Sequence, residues 1–231
     1  MTSLLFQDFN ERSKEVSKYF MFLKSLEQGS TQLSMKGIEG KNKIRQIDPE
    51  LEKTLKASGF LLLYNLVEST MRNAIEAIFD EIKSQGVSFD KIRPEIKKLI
   101  FKNLKKCLEK NNPDELLQNI TVISLDIIAA SFDRKNLFSG NIDEKLIKET
   151  ATKYGFSCRT DSRKTGDGGD LSTVKSNRND LAHGIKSFAE VGRDKSADEL
   201  LKITKKVIKY LKGILQNVDT YLANKEYLKS T

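Results

Sequence analysis

An all-α fold is what this sequence predicts, and three observations carry that expectation. Apolar residues recur at three- and four-residue spacing over several long stretches, the signature of helices with one buried face. Only three prolines interrupt 231 residues. Alternating clusters of β-branched residues are few, so little argues for an extended sheet. The length is ample for a real core and suggests one helical domain over residues 1–231, with flexible loops at about 29–47 and 157–172.

The elements follow in order. Leu5, Phe9, Val16, Phe20, Leu23 and Leu26 recur at helical spacing, predicting a first helix over residues 3–28 that Gly29 ends. Residues 28–46 are polar and glycine-bearing and read as a loop. Asp48-Pro49-Glu50 is a helix start, with Asp as cap and Pro at the first position. The second helix runs to about Lys83. Leu55, Leu62, Leu66 and Ile75 form one apolar surface, and Val67, Met71, Ile78 and Ile82 form another, so the helix is expected to be buried on several sides. Within it Asn65, Glu68 and Arg72 form a polar set. Glu68 and Arg72 are four apart in the favourable order, so an intrahelical ion pair and a functional interface are both open.

Residues 89–110 carry Pro94 as a first-turn residue and eight positive charges against Asp90, Glu95 and Glu109. A solvated face is the default for such a run, and a surface tracking a nucleic-acid backbone is the sharper alternative. Asn112-Pro113-Asp114-Glu115 starts another helix, and residues 120–132 read as helix despite their β-branched content. Residues 141–154 form a short helix stopped by Gly155. The glycine-rich stretch 157–171 breaks the helical array; its GDGG lacks the Lys-Ser/Thr of a phosphate-binding loop. Residues 184–195 read as a loop. Ser196 and Glu199 then form a capping box for a last helix to about Ala223, whose Leu200, Thr204, Val207, Leu211, Ile214, Val218 and Tyr221 make a stripe suited to antiparallel bundle packing.

Composition narrows the classes. Forty Lys and Arg against thirty-two Asp and Glu give a net charge of +8, which favours a polyanionic partner but also suits a plain solvated surface. Cys107 and Cys158 make neither a disulfide framework nor, with one histidine far away, a zinc site, so no metal and no cofactor is expected. The first residues lack a basic stretch followed by a sustained apolar run, and no segment reaches the ~20 apolar residues of a membrane span. A cytoplasmic protein with no membrane partner is expected.

The chemistry concentrates in Arg178-Asn179-Asp180-Leu181-Ala182-His183-Gly184. His183 is the only histidine, and so the only side chain whose ordinary pKa lies near neutrality. Ser172 or Thr173 suits the cap of a helix over Val174–Ala182, and Gly184 suits the left-handed residue past its end. Asn179 and His183, four apart, then share a face. Arg178 and His183 are five apart, ~500° of rotation, which leaves them about 140° apart around the axis. A lone histidine before a helix-ending glycine is also an ordinary C-terminal cap, and spacing by itself favours that reading.

More than spacing is present. An all-α chain with a final RNxLAH segment resembles the HEPN superfamily. FNERSKEVSKYFMFLKSLE, LKASGFLLLYNLVESTMRNAIEAIF, SGNIDEKLIKETATKYGF, TVKSNRNDLAHGIKSFAEVGRD and the closing helix resemble its MAE-type subgroup, in the same order and nearly end to end. The resemblance implies an antiparallel helical bundle with additional helices, dimerised so that the motif helices meet across a two-fold axis. It implies metal-independent endoribonuclease activity, often as a toxin or in phage-defence and restriction loci. RNA, tRNA included, is then the expected partner, together with a second copy of the chain and an antitoxin or defence-system protein.

Carried over residue by residue, Arg178 and His183 take the signature positions and Asn179 the polar position after the arginine. Lys175, Asp180, Glu68 and Arg72 are candidates for RNA contact or for support of the site. Attack by a ribose 2′-hydroxyl needs a proton acceptor, a proton donor and positive charge on the phosphate. One protomer has one histidine, and an isologous dimer would supply two around one cleft. The competing expectation is a catalytically inactive dimeric module binding RNA, a nucleotide or a partner protein in a defence or restriction system.

Overall fold

The computed structural model describes residues 4–36, 42–110, 132, 134 and 137–229. Its elements are α1 (Leu4–Glu27), β1 (Leu33–Lys36), β2 (Asn42–Arg45), α2 (Pro49–Ser84), a 3-10 turn (Phe89–Lys91), α3 (Pro94–Lys110), α4 (Glu144–Tyr154), α5 (Ser162–Thr165), α6 (Asp170–Ala182), α7 (Phe188–Arg193) and α8 (Ala197–Ala223). The fold is all-α, with one small hairpin among the described residues. The helices expected from Asn112 and over residues 120–132 lie outside the described residues, except for Phe132, and so does the side chain of Cys107.

Two compact units are present: Met1–Val67 with Asp161–Leu211, and Glu68–Thr160 with Lys212–Thr231. The division falls inside α2 and α8, so each long helix contributes to both.

In the first unit the α1 stripe is buried as its spacing demands: Phe9, Val16, Phe20, Leu23 and Leu26 are all within the core. Gly59 of α2 lets α1 come close, since a Cβ there would stand 2.7 Å from the Phe20 ring. The C-terminal end of α1 meets the N-terminal end of α8 through Glu27. Its Oε1 accepts a hydrogen bond from Lys56 Nζ at 3.0 Å and its Oε2 one from the Ala197 amide at 2.8 Å, so one carboxylate ties three helices. Lys56 also reaches Glu52 at 3.3 Å. Burial pulls the Lys56 pKa down, but the two carboxylates outweigh it and hold the group above its ordinary value.

In the second unit Tyr221 Oη donates to the Tyr154 carbonyl at 2.7 Å, and Tyr154 meets Phe79 edge-on. Burial, opposed by the Arg93 guanidinium, pushes the Tyr221 phenol up to about 12. Arg93 donates to the carbonyls of Gly155 and Glu226, at 3.2 and 3.3 Å. The basic run thus divides. Arg93 is a structural tie and Lys97 caps the Asp90 carbonyl over the Phe89 ring, whereas Lys91, Lys98, Lys102 and Lys105 are exposed.

The structure corrects the sequence reading at five places. Residues 28–46 carry an antiparallel hairpin with Leu33 opposite Arg45 and Ser34 opposite Ile44, too short to show a clear period of two. Residues 157–171 contain α5 and a following 3-10 turn. Asp161 caps α5 through the Arg163 amide, and Gly166 and Gly168 take the positive φ that ends each turn. The motif helix begins at Asp170 rather than Val174, because buried Leu171 and Val174 anchor its first turn and Gly169 enters it with helical dihedrals. Residues 184–195 hold α7, which Ser187 and Glu190 start with a capping box. Leu62 is 41% exposed instead of buried. The closing stripe, from Leu200 to Tyr221, is buried as expected, and Ser196 with Glu199 forms its capping box.

Candidate functional site

The motif occupies the last turn of α6, and three local features fix it. His183 is the C-cap residue, with φ −99° and ψ 2°, and its amide donates to the Asn179 carbonyl at 3.0 Å. Gly184 follows at φ +66°, the left-handed conformation an L side chain resists. The Gly184 amide donates to Leu181 and the Ile185 amide to Asp180, at 3.3 and 2.8 Å, which completes a Schellman closure. The Asp180 carboxylate adds a 2.8 Å ion pair with Lys186 and raises the Lys186 pKa above its ordinary value. Asp180 is thereby committed to holding the turn that follows His183.

Tyr64 and Asn179 both help to place Arg178. Its guanidinium lies over the Tyr64 ring, 4.5 Å from the centroid, and its Nη1 donates to Asn179 Oδ1 at 2.9 Å. The half-buried guanidinium is held as a fork against an aromatic face, an arrangement lysine cannot reproduce. Tyr64, buried on α2, was not among the residues expected at the site. The signal for it was present: a phenol inside the apolar run LLLYNLV needs a polar neighbour when buried.

His183 is exposed at the helix end, beside exposed Ile185. The structure therefore brings Arg178, Asn179 and the His183 backbone together, with Asn179 linked to both neighbours. Lys175 is half-buried and stands four residues before Asn179, as Asn179 stands four before His183, so the three share one register of α6. The bland cap reading is met too, since His183 does end the helix. What it lacks as an explanation is Arg178, whose position the cap does not require.

Glu68 and Arg72 belong to the second unit. Arg72 Nη2 donates to Glu68 Oε1 at 2.6 Å and to the Phe138 carbonyl at 2.9 Å, and its Nη1 to the Arg134 carbonyl. The guanidinium also lies 5.9 Å from the Phe138 ring centroid. The pair ties Arg134 and Phe138 to α2.

Among the described residues no group of three or more His, Cys, Asp or Glu is placed to hold a metal ion. Among the same residues no helix is long and apolar enough to cross a membrane. Chemically, the end of α6 offers one exposed imidazole and one fixed guanidinium, side chains that an acid–base and phosphate-binding pair would need.

The model of the MAE_28990-like HEPN family matches residues 1–227. The chain belongs to this HEPN family. Membership agrees with the helical fold and gives the chain a nuclease or RNA-related effector role in the broad sense. Neither a comparison with curated proteins nor one with solved structures finds a match.

Proposed function

We propose that this HEPN protein is a metal-independent endoribonuclease whose site forms where two copies bring their α6 ends together. The observation that supports it best is the fixed Arg178, stacked on Tyr64 and bonded to Asn179, five residues before an exposed His183 held by a closed Schellman turn. In the reaction, one His183 takes the proton of a ribose 2′-hydroxyl and that oxygen attacks phosphorus. The bond to the 5′-oxygen breaks, and the leaving oxygen takes a proton from the partner's His183. Products are a 2′,3′-cyclic phosphate and a 5′-hydroxyl. Arg178 stabilises the charge that develops on the phosphoryl oxygens, and Asn179 keeps the guanidinium in place.

A dimer is supported by two further features of the first unit. Leu61 and Leu62 of α2, just before Tyr64, are 36% and 41% exposed, and Ile185 and Phe188, just after His183, are 68% and 37% exposed. Exposed apolar residues in the segments that carry the site suit contact with a second copy. The proposal extends to a toxin or defence effector acting in the cytoplasm on RNA, tRNA included, and held in check by an antitoxin or defence-system partner.

The test compares wild type with His183→Ala and Arg178→Ala on total RNA and tRNA in EDTA, with end-group analysis of the fragments. Cleavage by wild type alone, leaving cyclic-phosphate ends, is expected, with each variant slower by about 10²–10⁴-fold. A 3′-hydroxyl product, or activity abolished by EDTA, would overturn the scheme. Intact RNA with folded, dimeric wild type would move the reading to a binding module.

A further inference from the structure

We propose that the groove between α1 and α8, together with the lysine face of α8 beside it, binds a segment of single-stranded RNA outside the scissile position. This rests on the ribonuclease reading and adds a second contact surface to it.

The lysine face comes first. From Leu200 to Val218 α8 has no carboxylate, and Lys202, Lys205, Lys206 and Lys209 fall within an arc of about 100° when placed at 100° per residue. All four are exposed. Lys206 pairs with Asp170 of α6 at 3.6 Å, and Lys202 and Lys205 share the field of Asp198 at the start of α8, whose carboxyl they help to hold below its ordinary pKa. Three exposed cations along about 10 Å of helix suit successive phosphates of one strand rather than a single ion.

Next to this face lies a groove of about 400 Å³. Its apolar wall is Met21 of α1 and Leu201 of α8, and Ser17, Gln28, Lys24 and Lys205 supply polar atoms around it. Met21 is 62% exposed, an apolar, polarisable surface with little of the chain against it. Such a groove admits a nucleotide: the base against Met21, its edge toward Ser17 and Gln28, its phosphate toward Lys205. It is too small for a partner helix, and a duplex would keep its bases stacked away from it. Lys205 belongs to both features, so the strand that tracks the lysines passes the groove.

The surface also has a defined reach to the motif. Lys206 is tied to the first residue of α6, and Arg178 stands eight residues along that helix, His183 thirteen, or roughly 12 and 20 Å. A few nucleotides of single strand cover that distance, so a substrate held on α8 extends to the end of α6.

The experiment uses full-length protein carrying His183→Ala, so that RNA stays intact, and a fluorescein-labelled 20-nucleotide single-stranded RNA in EDTA. Anisotropy is followed from 0.05 to 0.5 M salt. Replacing Lys202, Lys205 and Lys209 by Gln is expected to raise Kd about tenfold or more at 0.1 M salt and to lower the slope of log K against log salt by about 2. Lys83, Lys145 and Lys148 replaced by Gln serve as the control, with no change expected. Photo-crosslinking of 4-thiouridine RNA is expected to label residues 17–28 or 201–205. Should the triple variant fold poorly, the single Lys205→Gln, with a slope loss of about 0.7, takes its place. RNA binding equal in the lysine and control variants, or crosslinks confined elsewhere, would overturn this inference and leave the nuclease reading standing. Failure of the intact chain both to bind and to cleave RNA would overturn both.

Discussion

At the scale of single residues the proposed site depends on how Arg178 is held. A guanidinium over a ring gains about 0.5–2 kcal/mol there, and its planar fork meets a phosphate in one orientation. Tyr64→Phe keeps the ring and is expected to keep most of the cleavage rate. Tyr64→Leu removes it and is expected to lower kcat while leaving the fold intact by circular dichroism. Arg178→Lys keeps the charge but loses the fork and the bond geometry to Asn179, and a rate loss of about 10²-fold is expected in single-turnover assays. Equal rates for Tyr64→Phe and Tyr64→Leu would remove Tyr64 from the argument. Gly184 bears on the other half of the proposed site. An alanine there must take φ +66°, at a cost of about 1–2 kcal/mol, or open the turn that presents His183. Gly184→Ala is therefore expected to lower both the melting temperature and the rate, and a variant that loses neither would show that the turn does not position the histidine.

At the scale of elements the first unit is held by contacts at helix ends. Glu27→Ala leaves Lys56 without its closer carboxylate and the Ala197 amide without an acceptor, which is expected to cost about 1–3 kcal/mol in urea unfolding. Gly192 of α7 meets the chain still more closely. A Cβ there would stand 1.9 Å from the Lys53 carbonyl oxygen, and backbone cannot swing aside as a side chain can, so Gly192→Ala is expected to destabilise by about 1–3 kcal/mol or more. Glu199 gives a pH signature. Backbone and side-chain hydrogen bonds from Ser196 hold its carboxyl below the usual glutamate range. A depressed carboxylate stabilises above its unfolded pKa and loses that contribution as pH falls through the folded one. Glu199→Ala is thus expected to melt below wild type at pH 7, with the gap closing on acidification below the usual glutamate pKa; a gap independent of pH would discard this account.

The long helices were legible because their apolar spacing repeats over many turns, and the capping box at Ser196 because its four residues directly precede such a repeat. The one at Ser187 uses the same pattern but opens a helix of one and a half turns, too short for any period to confirm it. Arg178, Asn179 and His183 could be found along the chain, since they lie within one turn and a half of helix. Tyr64 could not be paired with Arg178 that way: the contact joins positions 114 residues apart, and only packing of α2 against α6 creates it.

At the scale of the whole molecule the question is how many copies make one site. A single protomer carries one histidine, while the proposed reaction both accepts and donates a proton. One imidazole could serve both roles in turn only if the proton crossed from one oxygen to the other during the same step. Two copies remove that demand and double the guanidinium charge on the phosphate. Mixing subunits separates the cases. His183→Ala and Arg178→Ala proteins are each expected to be nearly inactive. Co-refolded at equal amounts, random pairing gives about half mixed dimers, each with one intact Arg178 and one intact His183 in the shared cleft. A site built from both copies is expected to recover measurable cleavage in the mixture, well below wild type because one proton-transfer group is still missing. A site complete within each copy would recover none, since neither protomer of the mixed dimer holds both residues. Recovered cleavage, with mixed dimers confirmed by mass spectrometry, would exclude a site complete within each copy, and recovery to the wild-type rate would show that the second imidazole is not needed.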